Sequence, residues 1–321
     1  RTTALVLCEG VMGLFDGANV DPGEPDGSTA DLAALTGWPV LLVADVRGMA
    51  GSAAALLRGF VEHRAEVRVA GVLFNRVGGP GHRLMLERAC RATLPELPIL
   101  GLLSRDAALD MPSRHLGLVQ ALERPDLEAF LERAADWLEQ WVDLEAVLAL
   151  ARPSALASGP GKMPLPVLGQ RIAVARDAAF AFVYESMLDG WRRAGSELTF
   201  FSPLADEAPD GNSVYLPGGY PELYAGRLSG NQRFLNGMRA MAEAGGAVYG
   251  ECGGYMVLGR TLIDGDGSPH AMTGLLPLVT SFAARRLHLG YRQAMLASET
   301  PFGAVGTRLR GPEFHYASVV E

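Results

Sequence analysis

The chain has 321 residues, 49% of them hydrophobic and 20% charged, with a mean hydropathy of +0.14, a net charge of −8 and an isoelectric point near 5.4. These totals suit a two-domain globular protein. They speak against nucleic-acid binding, which needs clustered Lys/Arg, and against a membrane span, since no apolar run approaches roughly 18 residues. Three cysteines neither close a disulfide framework nor show zinc spacing, so the expected compartment is a reducing cytoplasm. Lys162 is the only lysine. Arginine therefore carries the positive charge, which suits bidentate recognition of carboxylate or phosphate and equally reflects a GC-rich genome.

Residue 1 is not Met, and residues 4–10 (Ala4-Leu5-Val6-Leu7-Cys8-Glu9-Gly10) read as a buried strand, so the numbering is expected to begin inside a domain. Short apolar runs follow at residues 40–45, 69–75 and 98–103, separated by helical patterns over 29–36, 52–63 and 81–93. That alternation predicts an α/β domain with a parallel sheet covered on both faces. Open parallel sheets bind ligands at the carboxyl ends of their strands, where Glu9, Asp45 and Asn75 stand. Singly, each is more often a helix cap or turn residue than a ligand of Mg²⁺ or a nucleotide. Together, at one expected sheet edge, they point to a nucleotide site.

The segment Gly10-Val11-Met12-Gly13-Leu14-Phe15-Asp16-Gly17 is glycine-rich but lacks the Gly-Lys-Ser/Thr ending of a phosphate loop. The one Gly-Lys pair, Gly161-Lys162, runs into Met163 and Pro164 and reads as linker. Residues 126–151 predict one long amphipathic helix, with Trp137 and Trp141 at i, i+4 as packing residues. The Pro/Gly/Ser/Ala-rich stretch that follows separates an N-terminal domain (1–151) from a C-terminal one (170–321), with a linker over 152–169.

The second half repeats the α/β pattern, with strands expected at 171–175, 197–201, 213–216 and 247–250 and helices at 180–194 and from about 222 to 244. Its last strand runs into Gly250-Glu251-Cys252-Gly253-Gly254-Tyr255-Met256, which reads as strand, sharp turn and helix with a thiol at the apex. A helix N-terminus favours thiolate; a buried structural cysteine is the competing reading. A nucleophile needs a base and an oxyanion hole. His315 lies in an extended stretch near the chain end, and His270 follows a turn and reads as solvated. The paired glycines of Leu216-Pro217-Gly218-Gly219-Tyr220-Pro221, with the N–H of Gly253, could supply the oxyanion donors.

With these segments in place, the chain resembles the cobyrinic/hydrogenobyrinic acid a,c-diamide synthase family along nearly its whole length. The C-terminal half carries the resemblance through residues 250–256 and 216–222, Leu289-Gly290-Tyr291-Arg292 and Glu313-Phe314-His315-Tyr316. The N-terminal half does so through residues 9–17, Gly27-Ser28-Thr29-Ala30, residues 71–77 and Arg114-His115-Leu116-Gly117-Leu118-Val119.

The resemblance implies a P-loop-type, dethiobiotin-synthetase-like synthetase domain and a flavodoxin-like glutamine amidotransferase domain. It implies Cys252 and His315 as a catalytic dyad, and Gly219 and Gly253 as oxyanion donors. In the first half it implies ATP and Mg²⁺, with Glu9 and Asp45 as metal ligands and Asn75 at the adenine. Asp16, Arg114 and His115 fall in the substrate region. The implied partners are glutamine and a corrin macrocycle bearing carboxylates; a homodimeric partner copy is left open.

Two departures stand out: Pro312 where the family usually has histidine, and no phosphate loop upstream of Glu9, which reads as truncation rather than loss of ATP use. Ala317 occupies the acidic position that related amidotransferases often have two residues after the histidine, and Glu313 is an alternative orienter. Cobyric acid synthase, nickel-sirohydrochlorin diamide synthase and a non-catalytic corrinoid-binding or ammonia-delivering subunit are the competing readings.

Overall fold

In the computed structural model, which describes residues 5–21, 24–114, 117–157 and 166–321, three apolar runs of the first half pair in parallel. β1 (Val40–Asp45), β2 (Val69–Val77) and β3 (Ile99–Ser104) form a sheet in that order. They alternate with α1 (Thr29–Thr36), α2 (Ser52–Glu62) and α3 (Pro80–Thr93). α1 starts where Ser28 accepts the Asp31 N–H and stops at Gly37, whose φ of 67° is the left-handed cap geometry glycine allows. Val72 and Phe74 pack against Ala53, Ala54 and Leu57 of α2 and Leu86 and Cys90 of α3. Val40 and Val69 pack instead on Leu14 and on Ala30 and Ala33 of α1. The sheet is therefore covered on both faces, as the uninterrupted apolar runs require.

Two expectations for this half are corrected. Residues 5–10 form no strand, and Leu5, Val6 and Leu7 are 46%, 56% and 86% exposed. A strand persists only through ladder partners, and the described residues offer this run none. Glu9 therefore ends no strand, whereas Asp45 ends β1. The helix expected over 126–151 is two helices, α4 (Leu127–Trp141) and α5 (Leu144–Ala149). Between them Val142 turns extended, buries itself and bridges Gly101 of β3, while Asp143 caps α5 by accepting the Ala146 N–H at 2.9 Å. Trp141 packs under the Arg83 guanidinium, 4.8 Å from its ring centre. A two-strand ribbon, β4 (Ser113–Arg114) and β5 (Gly117–Leu118), follows β3 in the chain. His115 and the Gly161-Lys162 pair lie outside the described residues.

The second half forms a parallel sheet of order β7-β6-β8-β9, from β6 (Arg171–Ala175), β7 (Glu197–Phe201), β8 (Ser213–Leu216) and β9 (Ala247–Gly250). Its helices are α6 (Glu185–Arg193), α7 (Ala225–Gly230), α8 (Gln232–Glu243) and α9 (Gly253–Leu258). Strand periodicity divides the side chains between two cores. Ala173, Ala175, Val214 and Leu216 meet Phe234, Leu235 and Met238 of α8 and Met256 and Val257 of α9. Ile172, Val174 and Tyr215 meet Met187, Leu188 and Trp191 of α6.

α6 begins at Glu185 rather than 180 because Phe182 is drawn into a bridge with Gly218. The long helix expected to 244 is interrupted at Asn231, whose amide donates to the Pro203 and Leu204 carbonyls at 2.7 and 3.2 Å. The remaining strands are β10 (Thr261–Ile263), β11 (Pro269–Ala271), β12 (Val279–Ser281), β13 (His288–Met295), β14 (Arg308–His315) and β15 (Ser318–Val319). A mixed sheet takes the order β11-β10-β12-β15, and β13 and β14 form an antiparallel ribbon. Pro312 is tolerated in that ribbon because neither strand has a second neighbour needing its N–H. His270, expected to be solvated, is half-buried and pairs with Asp264 at 2.8 Å.

The chain divides into two compact units, Arg1–Gly159 and Pro160–Glu321. Among the described residues no helix is long and apolar enough to cross a membrane.

Trp191 joins α6 to the sheet of the second unit. It is fully buried, edge-on to Tyr215 at 5.5 Å, and its indole N–H donates to the Pro166 carbonyl at 3.0 Å. Trp191→Ala should lower unfolding stability by about 3–5 kcal/mol, read from urea denaturation followed by circular dichroism. A loss below about 1 kcal/mol would mean that the second core does not depend on this ring.

Candidate functional site

β9 delivers Cys252 to the start of α9, and the residue adopts φ 48° and ψ −112°, a strained backbone for a side chain with a Cβ. The surrounding backbone imposes the turn. Glu251 N–H donates to the Leu216 carbonyl at 3.2 Å, and Gly254 N–H is shared between the Pro217 and Glu251 carbonyls at 3.1 and 2.8 Å. A Cβ at Gly254 would lie 2.0 Å from the Leu216 oxygen, so only glycine lets α9 pass this close to β8. A Cβ at Gly219 would come within 2.1 Å of the Ala179 carbonyl oxygen. The loop after β8 is thereby pressed against the turn.

The close approach aims two donors at the sulfur. The N–H groups of Gly253, at the start of α9, and Gly219, in the loop after β8, act on the Cys252 thiol and lower its pKa. Desolvation acts the other way and is larger: the thiol is accessible to solvent but crowded by protein, and the Glu222 and Glu251 carboxylates add to the upward push. The resting thiol is therefore held above its ordinary value. The thiolate expected from the six-residue helix start is outweighed by desolvation first, with the Glu222 and Glu251 charges adding to it.

Glu251 anchors the turn from beneath. It accepts the Tyr215 hydroxyl at 2.5 Å and the Tyr249 hydroxyl at 3.2 Å, and the two phenol rings stack 5.7 Å apart. Burial first, and then the Glu251 carboxylate, raise both phenols, which keeps them as donors. The Tyr184 phenol is raised by burial first and then by the charges of Glu251 and Cys252. Sequence reasoning misses Glu251, Glu222 and Tyr184 as neighbours of Cys252. The first two lie inside the recognised motifs, but no local pattern marks Tyr184.

His315 sits at the end of β14, opposite His288 of β13. Its Nδ1 meets the Ala317 carbonyl at 2.7 Å and its Nε2 meets Glu313 Oε1 at 2.8 Å. The His315 hydrogen bond, reinforced by the Arg292 charge, holds the Glu313 carboxyl below the usual carboxylate range. No hydrogen bond joins His315 to Cys252 among the described residues; the ring is held instead by Glu313 and the Ala317 carbonyl.

In the first unit, Asp45 and Asn75 are register partners at the carboxyl ends of β1 and β2. Asp45 accepts the Arg47 N–H at 2.9 Å and an Arg76 guanidinium at 2.7 Å, and both hold its pKa down. Asn75 accepts the Arg76 N–H at 2.8 Å. Asp16 closes a turn by accepting the Gly13 N–H at 2.9 Å, and Arg114 forms a bidentate pair with Glu123 at 2.5 and 2.6 Å. Glu9 is exposed and joins no group of three candidate metal ligands among the described residues; neither does Asp45.

The family described as the CobB/CobQ-like glutamine amidotransferase domain matches residues 171–321, and the CobQ/CobB/MinD/ParA nucleotide binding domain matches residues 11–119. Curated relatives named hydrogenobyrinate a,c-diamide synthase are similar along nearly the whole chain. The one from Rhodobacter capsulatus is 52% identical, with 99% of this chain and 72% of the relative covered. That from Brucella anthropi is 51% identical over 98% and 71%, and that from Rhizobium meliloti 51% over 99% and 72%.

Because its pKa is raised, Cys252 should hold less thiolate at neutral pH than a free cysteine. Its alkylation by iodoacetamide, resolved from Cys8 and Cys90 by peptide mass spectrometry, should accelerate through a midpoint above the ordinary value of about 8.5. Glu251→Gln should bring the midpoint down. A midpoint at or below the ordinary value would contradict this balance of burial and donors.

Proposed function

The chain belongs to the cobyrinic/hydrogenobyrinic acid a,c-diamide synthase family, and from that membership we propose that it amidates the a and c acetate carboxylates of hydrogenobyrinic acid, using glutamine and ATP, in cobalamin biosynthesis. The choice of the metal-free corrin follows the printed names of its relatives. The observation that carries the glutaminase half is the strained Cys252 elbow, packed so closely on the loop after β8 that a Cβ at Gly218 would lie 3.3 Å from the Cys252 Cβ and one at Gly253 3.1 Å from the Gly219 nitrogen.

In this reading, Cys252 transfers its proton toward His315 and the thiolate attacks the side-chain amide carbon of glutamine. The carbonyl oxygen takes up the electron pair and rests on the Gly219 and Gly253 N–H groups. Collapse breaks the C–N bond, and the histidine returns the proton to the leaving nitrogen, giving ammonia and a γ-glutamyl thioester. Water attacks the thioester through the same oxyanion site and yields glutamate. For His315 to serve, its Nε2 must exchange the Glu313 hydrogen bond for one to the reacting groups, an adjustment common between resting and substrate-bound sites. The Ala317 backbone carbonyl, which accepts from Nδ1 at 2.7 Å, then keeps the ring oriented.

The first unit is the amide-forming half. A carboxylate resists attack by ammonia, so its oxygen first takes the γ-phosphoryl group of ATP; ammonia then displaces phosphate and leaves the amide. Asn75 is the adenine contact of this reading, with Asp16, Arg114 and His115 in the substrate region. Arg114 would receive a substrate carboxylate by exchanging it for Glu123. Glu9 and Asp45 are the Mg²⁺ ligands of this reading, and Asp45 would exchange its half-exposed pair with Arg76 for the ion.

Incubation with hydrogenobyrinic acid, glutamine and ATP should give the diamide, with two ATP consumed per corrin, one for each carboxylate. Cys252→Ala should abolish glutamine-dependent amidation and retain the ammonia-dependent reaction, while His315→Asn should lower glutamine hydrolysis by about 10²–10⁴-fold. Loss of both nitrogen sources in Cys252→Ala would misplace the thiol. Corrin binding without turnover or ATP consumption would make the chain a binding subunit.

A further inference from the structure

Three lone-pair donors meet on the β13–β14 ribbon. His288 and His315 are cross-strand partners whose imidazoles stack 4.7 Å apart at 13°. One ligand atom from each of His288, Glu313 and His315 lies within 4.8 Å of the other two, the only such trio among the described residues. All three side chains are half-buried.

The hydrogen-bond pattern says what the trio lacks. The Ala317 carbonyl can only accept, so the contact at 2.7 Å puts a proton on His315 Nδ1. In a neutral ring that leaves Nε2 with a lone pair, yet Nε2 faces Glu313 Oε1, another acceptor, at 2.8 Å. Two acceptors are held face to face only when a proton or a metal ion lies between them. His288 contributes a third lone-pair site, because its Nε2 is buried without a hydrogen-bond partner.

We infer that His288, Glu313 and His315 form a binding site for a first-row transition-metal dication of the Zn²⁺ class. Two imidazoles and one carboxylate suit such an ion, whereas Mg²⁺ and Ca²⁺ prefer oxygen alone. The outer contacts are those of a metal site. The Ala317 carbonyl fixes the His315 tautomer, and Arg292 holds the other Glu313 oxygen at 2.6 Å. Metal bonds of about 2.0–2.1 Å put donors about 3.3 Å apart, and rotation about the broad χ2 torsion of histidine supplies the closure. The ion would occupy the His315 lone pair and switch off proton transfer reversibly. That consequence rests on His315 being the glutaminase base; binding itself does not.

Binding is tested on the intact chain carrying Cys252→Ala, which removes the one thiolate near the proposed active site. Co²⁺ should develop the visible ligand-field bands of a nitrogen- and oxygen-ligated site at one ion per chain, and Zn²⁺ should displace it while excess Mg²⁺ does not. Adding His288→Ala or Glu313→Gln should weaken Zn²⁺ binding by at least about tenfold, with near-ultraviolet circular dichroism confirming that each variant is folded. Absence of the Co²⁺ bands, or unchanged Zn²⁺ affinity in both folded variants, would overturn the site. In the unmodified protein Zn²⁺ should inhibit glutamine hydrolysis and a chelator should restore it. Binding without inhibition would leave the metal site standing and remove His315 as the base.

Discussion

Everything proposed for the second unit depends on one backbone constraint: Cys252 is held at φ 48° and ψ −112°. Such a conformation costs on the order of 1–3 kcal/mol and persists because its neighbours leave no alternative. Glu251 is tied to β8 through its N–H and to the core through the two tyrosine hydroxyls. Gly254 admits no side chain against Leu216, and Gly219 none against Ala179. The strained turn lifts the thiol out of the core and points it at N–H groups from two different loops. A relaxed turn would lose both donors at once, because each comes from backbone whose position the turn defines.

The crowding around the proposed oxyanion site opposes the charge that the proposed nucleophile needs. Burial and two acids push the thiol pKa up while two N–H groups pull it down, and burial prevails. The donors are thus poorly matched to a resting thiol and well matched to an oxyanion, which carries its full charge only during reaction. This is the differential binding that catalysis requires. A suppressed resting thiolate also limits wasteful oxidation of an accessible cysteine. In the proposed mechanism the His315 ring, bonded to Glu313 at rest, must exchange that bond for one to the reacting groups, a rearrangement that substrate binding can drive.

Much of this is legible in the sequence because local rules and tertiary outcome agree. The parallel strands of both units follow from uninterrupted apolar runs, and the elbow from a strand, a cysteine and two glycines. The failures have physical causes of their own. Helix periodicity predicts one helix over 126–151 because nothing local reveals that Val142 bridges Gly101. It likewise runs past Asn231, whose amide is claimed by carbonyls nearly thirty positions away. Residues 5–10 have the composition of a buried strand, but composition cannot provide the neighbour a ladder needs. Glu9 groups with Asp45 and Asn75 only on that expectation, whereas the latter two alone share a register pair. His288 is invisible as a partner of His315 because a cross-strand pair between residues 27 positions apart leaves no periodic trace.

Covalent trapping tests the central claim, that the Cys252 elbow is a glutamine-specific nucleophile, more directly than any rate. The protein is incubated with a diazoketone analogue of glutamine and digested, and the modified residue is located by mass spectrometry, with excess glutamine as competitor. The account predicts one adduct per chain, on Cys252, suppressed by glutamine and accompanied by loss of glutamine-dependent but not ammonia-dependent amidation. Labelling that instead favours exposed Cys8, or an adduct on Cys252 that glutamine does not suppress, would contradict it.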